Sequence, residues 1–337
     1  MRLAACVPTI PAHIVASLET CGIRTDADLL FSGSTLEILR RLPAGTTTLR
    51  ELARFTALVE NLVSAPGQCA ADLLKEPEDA DFLSGLPQLD EILNGLTTPG
   101  RLVEVSGDKG SGKTSLLLHL VLHHLVHHTQ SSVLWIDTKG DFSALRAAEI
   151  LELYDAPGAP LALERLQVSV AFEVDALHEV LEELRLSLSS SAAHLRTRAI
   201  VVDTVTPLFG PLLSPVSSQG HAIMTSSMRQ LRAFAEFFSL TVFVVNDSAA
   251  FTPFVPGSVS NNPNIRKPAL GPSFSFLTDA TLWLALYGDD TDPHERDTGA
   301  GCTKHLAQVY RSKVTVSQVW RAFKIRQGVL LDCEQVP

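Results

Sequence analysis

Few of the 337 residues carry charge: Asp, Glu, Lys and Arg make up 19%, against 45% hydrophobic residues. That scarcity excludes a mainly disordered chain and leaves ample material for a buried core. Long hydrophobic runs are also lacking, and none approaches the roughly 18 residues of a membrane helix. The apolar start is broken by Pro8 and Pro11, so no secretory signal is read there. Cysteine is scarce and scattered. Cys6, Cys21, Cys69, Cys302 and Cys333 are odd in number and form no CxxC pair, which argues against a disulfide framework or a zinc site and fits a reducing cytosolic or nuclear compartment. Positive charge is in deficit too, with a net charge of −10 and a pI near 5.5. Such a chain has no global attraction to nucleic acid, so any DNA contact must come from a local basic patch, and composition by itself slightly favours a protein partner.

What is present falls into unlike parts. The first 64 residues read as short helices. Pro11 to Cys21 carries Ile14, Val15 and Leu18 and stops at Gly22. Thr25 with Asp28 opens a helix to Phe31, Ser34 caps the next, and Thr48 with Glu51 forms a capping box before a helix to about Val63. Residues 65–81 are rich in Pro, Ala and acids and read as an exposed linker. From residue 82 to the end, strand and helix signals alternate, the pattern of a mostly parallel sheet with crossover helices. Candidate strands are 101–106, 133–137, 166–170, 199–203, 241–245 and 281–286, with a hairpin from Val319 to Asp332. Candidate helices are 112–128, 174–188 and 220–238.

The strongest motif is Gly107-Asp108-Lys109-Gly110-Ser111-Gly112-Lys113-Thr114, a complete GxxxxGK[ST] match. Glycines let successive backbone N–H groups turn toward phosphate oxygens, and a following helix adds the partial positive charge of its N-terminus. Lys113 is placed for the β- and γ-phosphates of ATP and Thr114 for Mg²⁺. The context is right: LVEV before the loop reads as a strand and SLLLHLVLHHLV after it as a helix. Ninety positions on, AIVVDT ends a strand in Asp203, the residue type that holds the Mg²⁺ water shell.

These stretches together resemble the RecA/Rad-type recombinase family. FLSGLPQLDEILNGLTTPGRLVEVSGDKGSGKT is similar to the segment leading into that core, VLWIDTKGDF to its second strand and turn, AIVVDT to its Walker B strand and TVFVVND to the strand before its second DNA loop. KPALGPSFSF is most similar to the D-type branch of the eukaryotic paralogues of the Rad-fifty-one recombinase. The resemblance implies an α/β, RecA-like P-loop ATPase core behind a small helical domain. It further implies a nuclear auxiliary subunit of homologous-recombination repair, working with other paralogue subunits and the main recombinase on single-stranded DNA.

Departures from that pattern bear on activity. Active recombinases carry a Glu after the second strand that prepares the attacking water; Lys139 stands there instead. A lysine of pKa ~10.4 is already protonated at neutral pH and cannot act as a general base, so weak hydrolysis is expected. Asp141, two residues on, is a conceivable substitute. Where active members carry a Gln after the fifth strand, Asp247 follows Asn246. The linker stretch Gln68-Cys69-Ala70-Ala71 lacks the Phe through which family protomers polymerise. In the loop between Asp247 and Leu270, Arg266 and Lys267 are candidate phosphate contacts, with Phe251 and Phe254 for bases; a solvated loop is an equal reading. The loop 207–221 has no Lys or Arg.

His119, His123 and His127, with His124 and His128 beside them, have metal-ligand spacing, but a polar or partly buried helix face is the better reading. Trp135, Trp283 and Trp320 are read as core. Two alternatives stay open: a competent DNA-stimulated ATPase performing strand exchange, and a P-loop protein unrelated to DNA, such as a small-molecule kinase.

Overall fold

The computed structural model describes residues 2–7, 10–63, 81–154, 158–189, 195–214, 216–250, 266–287 and 302–333. The chain forms two compact units, Met1–Glu78 and Asp79–Pro337. In the first, α1 (Ala12–Thr20), α2 (Asp26–Phe31), α3 (Thr35–Arg41) and α4 (Leu49–Val63) surround a small core of Leu3, Ile14, Leu18, Leu29, Ile38, Leu52 and Val59. Their starts follow from capping chemistry. Asp28 N–H donates to Thr25 Oγ1 while the Asp28 carboxylate accepts from Thr25 N–H, and Ser34 with Glu37 and Thr48 with Glu51 repeat the exchange. Gly22, at φ +84°, reverses the chain after α1 in a conformation that costs other residues strain.

The second unit is a nine-stranded sheet between two layers of helices. Its elements in order are α5 (Pro87–Leu93), β1 (Leu102–Gly107), α6 (Lys113–His127), β2 (Ser131–Asp137), α7 (Ala144–Leu151), α8 (Ala159–Ala162), β3 (Leu166–Val170), α9 (Val174–Ser189), β4 (Arg196–Asp203), α10 (Thr206–Phe209) and α11 (Gln219–Phe238). There follow β5 (Thr241–Asn246), β6 (Ser248–Ala250), β7 (Arg266–Pro268), α12 (Gly271–Leu277), β8 (Ala280–Leu286), β9 (Cys302–Ser312), β10 (Trp320–Arg326) and β11 (Val329–Asp332). Strand order is β11-β10-β9-β8-β1-β5-β4-β2-β3, parallel from β3 to β8 and antiparallel beyond. Period-2 alternation feeds both cores. Val103, Val105, Val201, Phe243 and Val245 meet α5 to α8 on one face, while Leu102, Ile200, Val202, Val242 and Val244 meet α9 and α11 on the other. Burying both faces is why these strands read as continuous apolar runs.

Three expectations need correction. The eleven-residue strand β9, absent from the sequence reading, sits between β8 and β10 and joins the parallel sheet to the C-terminal hairpin. Only alternate residues of it are buried, so it lacks the apolar run that marks the other central strands. The stretch 207–221 is not a plain loop: α10, a 3₁₀ turn at Gly210–Leu212 and the start of α11 occupy much of it. Finally, Trp135 is core, but Trp320 is 50% exposed, because its side of β10 faces away from the α6 core. The linker residues 65–80, including Gln68–Ala71, and Phe251 and Phe254 lie outside the described residues. Among the described residues no helix is long and apolar enough to cross a membrane.

Candidate functional site: a cleft at the P-loop

A cleft of about 420 Å³ opens at the carboxyl ends of the parallel strands, where the chain leaves β1, β2, β4 and β5. The P-loop forms one wall. Gly107 and Gly112 show why glycine is needed there: a Cβ on Gly107 would stand 2.2 Å from the Leu284 carbonyl, and one on Gly112, at φ +94°, would meet Ile325 Cδ1 at 2.8 Å. Gly110, at φ +82°, borders open space instead. Lys113, buried at the start of α6, folds back so that Nζ donates to Gly107 O (2.8 Å) and Asp108 O (2.9 Å). Burial lowers its pKa, against the opposing pull of Asp247. Thr114 Oγ1 donates to Asp203 Oδ2 at 2.8 Å, so the two residues expected to share Mg²⁺ are brought together. Burial raises the Asp203 pKa, opposed by the Thr114 hydrogen bond and the nearby ammonium of Lys139.

The opposite wall comes from the turns after β2 and β5. Asp137 accepts N–H bonds from Lys139 and Gly140 (2.9 Å each) and Phe142 (2.8 Å). Burial alone would raise its pKa, but these donors hold it below the ordinary carboxylate range. Asp247 lies between two ammonium groups, Oδ1 3.4 Å from Lys113 Nζ and Oδ2 3.7 Å from Lys139 Nζ. Behind it, Glu104 is fully buried and accepts from Asn246 Nδ2 (2.7 Å) and Thr281 Oγ1 (2.8 Å). Asn246 Oδ1 in turn accepts from Thr206 Oγ1 (3.0 Å), and Thr206 Oγ1 accepts from the Asp247 N–H (2.8 Å). Burial raises the Glu104 pKa.

Asp141 also lines the cleft. Three contributors escaped the sequence reading. Arg146 donates to Ser115 Oγ at 2.6 Å, and His305 and Thr303 arrive on the missed strand β9, with His305 Nδ1 2.9 Å from Ser111 O. The alternating pattern of TKHLAQVY was the available signal. Arg266 is not simply solvated. The strands β6 and β7 pair antiparallel and bring its guanidinium 3.3 Å from Asp108 Oδ1, a carboxylate also bound by the Ser248 hydroxyl. Lys267 follows it on β7, and Lys109 borders the cleft mouth.

The buried histidines of α6, His119 and His124, are packing groups. His119 Nε2 bonds Ser84 O (2.9 Å), and His124 stacks on Phe82 at 4.1 Å. Burial pushes the His123 pKa down to about 4 and that of His124 to about 3. Among the described residues no cluster of three or more His, Cys, Asp or Glu forms a metal site.

A loop of this geometry between β1 and a helix, with Asp203 at the end of β4, one strand beyond β5, is the phosphate-binding arrangement of RecA-like proteins. The profile of the Rad51 family matches residues 80–285, which spans the cleft walls up to β8. The chain belongs to the Rad51 family. It is 30% identical over 283 residues to the DNA repair protein RAD51 homolog 4 of Bos taurus, covering 82% of each chain. The Mus musculus counterpart is 29% identical over 245 residues, covering 69% of this chain and 67% of that protein. The crystal structure of the RadB recombinase superposes with a TM-score of 0.55 at 20% identity, covering 75% of this chain and all of the other. This last likeness concerns the RecA-like fold alone.

Proposed function

We propose that this protein is an ATP-binding subunit of the homologous-recombination machinery, acting in the nucleus beside other paralogue subunits and the main recombinase on single-stranded DNA. The observation that carries the reading is the apposition of a complete P-loop, residues 107–114, to Asp203, whose Oδ2 lies 2.8 Å from Thr114 Oγ1. The residues fit Mg-ATP: the open side of Gly110 leaves room for phosphate, and Lys113 can exchange its own loop carbonyls and Asp247 for phosphate oxygens. Thr114 and Asp203 would hold Mg²⁺, directly and through water, and the ion would neutralise charge on the phosphates.

Hydrolysis by the chain alone is slow in this reading, because Lys139 cannot take a proton from water and Asp247 is engaged by two lysines. ATP then serves chiefly as a ligand that organises the subunit. The role in DNA repair is supported by the names of the relatives, and an auxiliary role by the missing base. Arg266 and Lys267 are the DNA candidates, with the qualification that Arg266 must first leave Asp108. The test is purification from native cells with identification of what accompanies the chain. Recombinase relatives retained in the presence of ATP support the proposal; their absence, with DNA-independent ATP turnover at an ordinary enzyme rate, overturns it.

A further inference from the structure

The turn after β2 delivers a cation to a place where the family's chemistry has no use for one. Its geometry is rigid: the Asp137 carboxylate takes N–H bonds from Lys139, Gly140 and Phe142, and Phe142 packs against Trp135 with ring centroids 5.5 Å apart. Gly140, at φ +77°, completes the reversal. The backbone at Lys139 is therefore fixed while its side chain, 41% exposed, extends into the cleft. Lys113 arrives from a different element and converges on the same point, because a single carboxylate, that of Asp247, binds both ammonium groups through its two oxygens. Two cations that already share one anion form a preorganised anion site.

We propose that Lys139 is a phosphate-binding residue, which with Lys113 holds the terminal phosphate of a nucleoside triphosphate and makes the cleft prefer triphosphate to diphosphate. In the nucleotide-free protein Asp247 occupies these cations as an internal counter-ion. The terminal phosphate carries more charge than a carboxylate, has three oxygens to divide between the two ammonium groups, and displaces Asp247 from at least one of them. A diphosphate engages Lys113 and the loop backbone but leaves Lys139 with Asp247. The charge of the cleft is consistent with this division. Lys109, Lys113, Lys139 and Arg146 face Asp141, Asp203 and Asp247, so without Lys139 the lining cations and carboxylates are equal in number and the side chains leave no net positive charge to meet the third phosphate. The residue that abolishes water activation thus acquires a role of its own, reading which nucleotide is bound.

The inference rests on the nucleotide-binding reading of the cleft, and one experiment separates the two. The protein and its Lys139→Met and Lys139→Arg variants are titrated at equilibrium with Mg-ADP and with a Mg-bound non-hydrolysable ATP analogue, after thermal melts have checked folding. Lys139→Met keeps the length of the side chain and removes its charge. It is expected to weaken the triphosphate roughly tenfold, the size of one charge-assisted hydrogen bond, while ADP changes less than about twofold on the same scale; Lys139→Arg retains the preference. Equal weakening of both ligands, or of neither, overturns the role of Lys139 while leaving the cleft a nucleotide site. If the unaltered protein binds neither nucleotide, the nucleotide reading fails and this inference with it. Should Lys139→Met fold poorly, Lys139→Gln removes the same charge with a polar side chain and answers the same question.

Discussion

On the P-loop side of the cleft the backbone makes the site: glycines at 107, 110 and 112 shape a loop whose carbonyls hold Lys113. Across the cleft side chains make it, with Asp137 tying down one turn and Glu104 anchoring the other through Asn246 and Thr206. The first wall is a motif of consecutive residues whose backbone N–H groups can cradle phosphate. The second is assembled from residues more than a hundred positions apart, and it carries Lys139 and Asp247, the residues to which the proposed reading gives the fate of a bound triphosphate. Under the proposed reading the first wall holds nucleotide generally, whereas the second selects the triphosphate and sets its turnover.

The largest effect that could break this separation is on turnover. Loss of a general base costs about 10²–10⁴ in rate, so the chain alone is expected to turn over ATP well below the common range of about 1–10³ s⁻¹; steady-state phosphate release measures it. Lys139→Glu by itself sets a second carboxylate against Asp247 and restores little. Lys139→Glu combined with Asp247→Gln rebuilds the active pattern and is expected to raise the rate.

Glu104→Ala attacks the second wall from behind. It strands the buried Asn246 amide and Thr281 hydroxyl at about 1–3 kcal/mol each, or about 2–6 kcal/mol of stability, read from denaturant unfolding. An unchanged midpoint would show that the buried carboxylate bears no weight. Lys113→Ala attacks the first wall. Triphosphate affinity is expected to drop roughly hundredfold, the equivalent of about 3 kcal/mol, in a protein whose melting temperature is nearly unchanged. Asp247→Asn releases both lysines, and calorimetric titration should show triphosphate affinity rising severalfold; a fall would mean that Asp247 aids binding.

The smallest effect concerns the far face of the P-loop helix. The folded pKa values of His123 and His124 are depressed, to about 4 and about 3, from an ordinary value near 6.5. The unfolded chain therefore binds protons first as the pH falls, and stability present above about 6.5 is progressively lost below it, down to about 4 for His123 and about 3 for His124. Thermal melts from pH 7.5 to 5 are expected to show a fall in melting temperature, reduced by His124→Phe.

Much of the core was legible because its parallel strands are covered on both faces and so appear as apolar runs such as AIVVD and TVFVV. The small helices were legible because Thr25, Ser34 and Thr48 are caps, and capping acts within four residues. Strand β9 was not, since burial of one face leaves only an alternation, interrupted by polar residues, whose meaning depends on the neighbours β8 and β10. By itself the sequence determined the P-loop and the Asp203 strand, because each depends on residue identity at short spacing, and it put Lys139 where the family resemblance implies a base. Only the tertiary structure decided that Lys113 and Lys139 share Asp247, that Arg266 pairs with Asp108, and that His305 abuts the P-loop. Those contacts join elements brought together by crossovers and strand pairing, and no local rule of sequence specifies which side chains then meet.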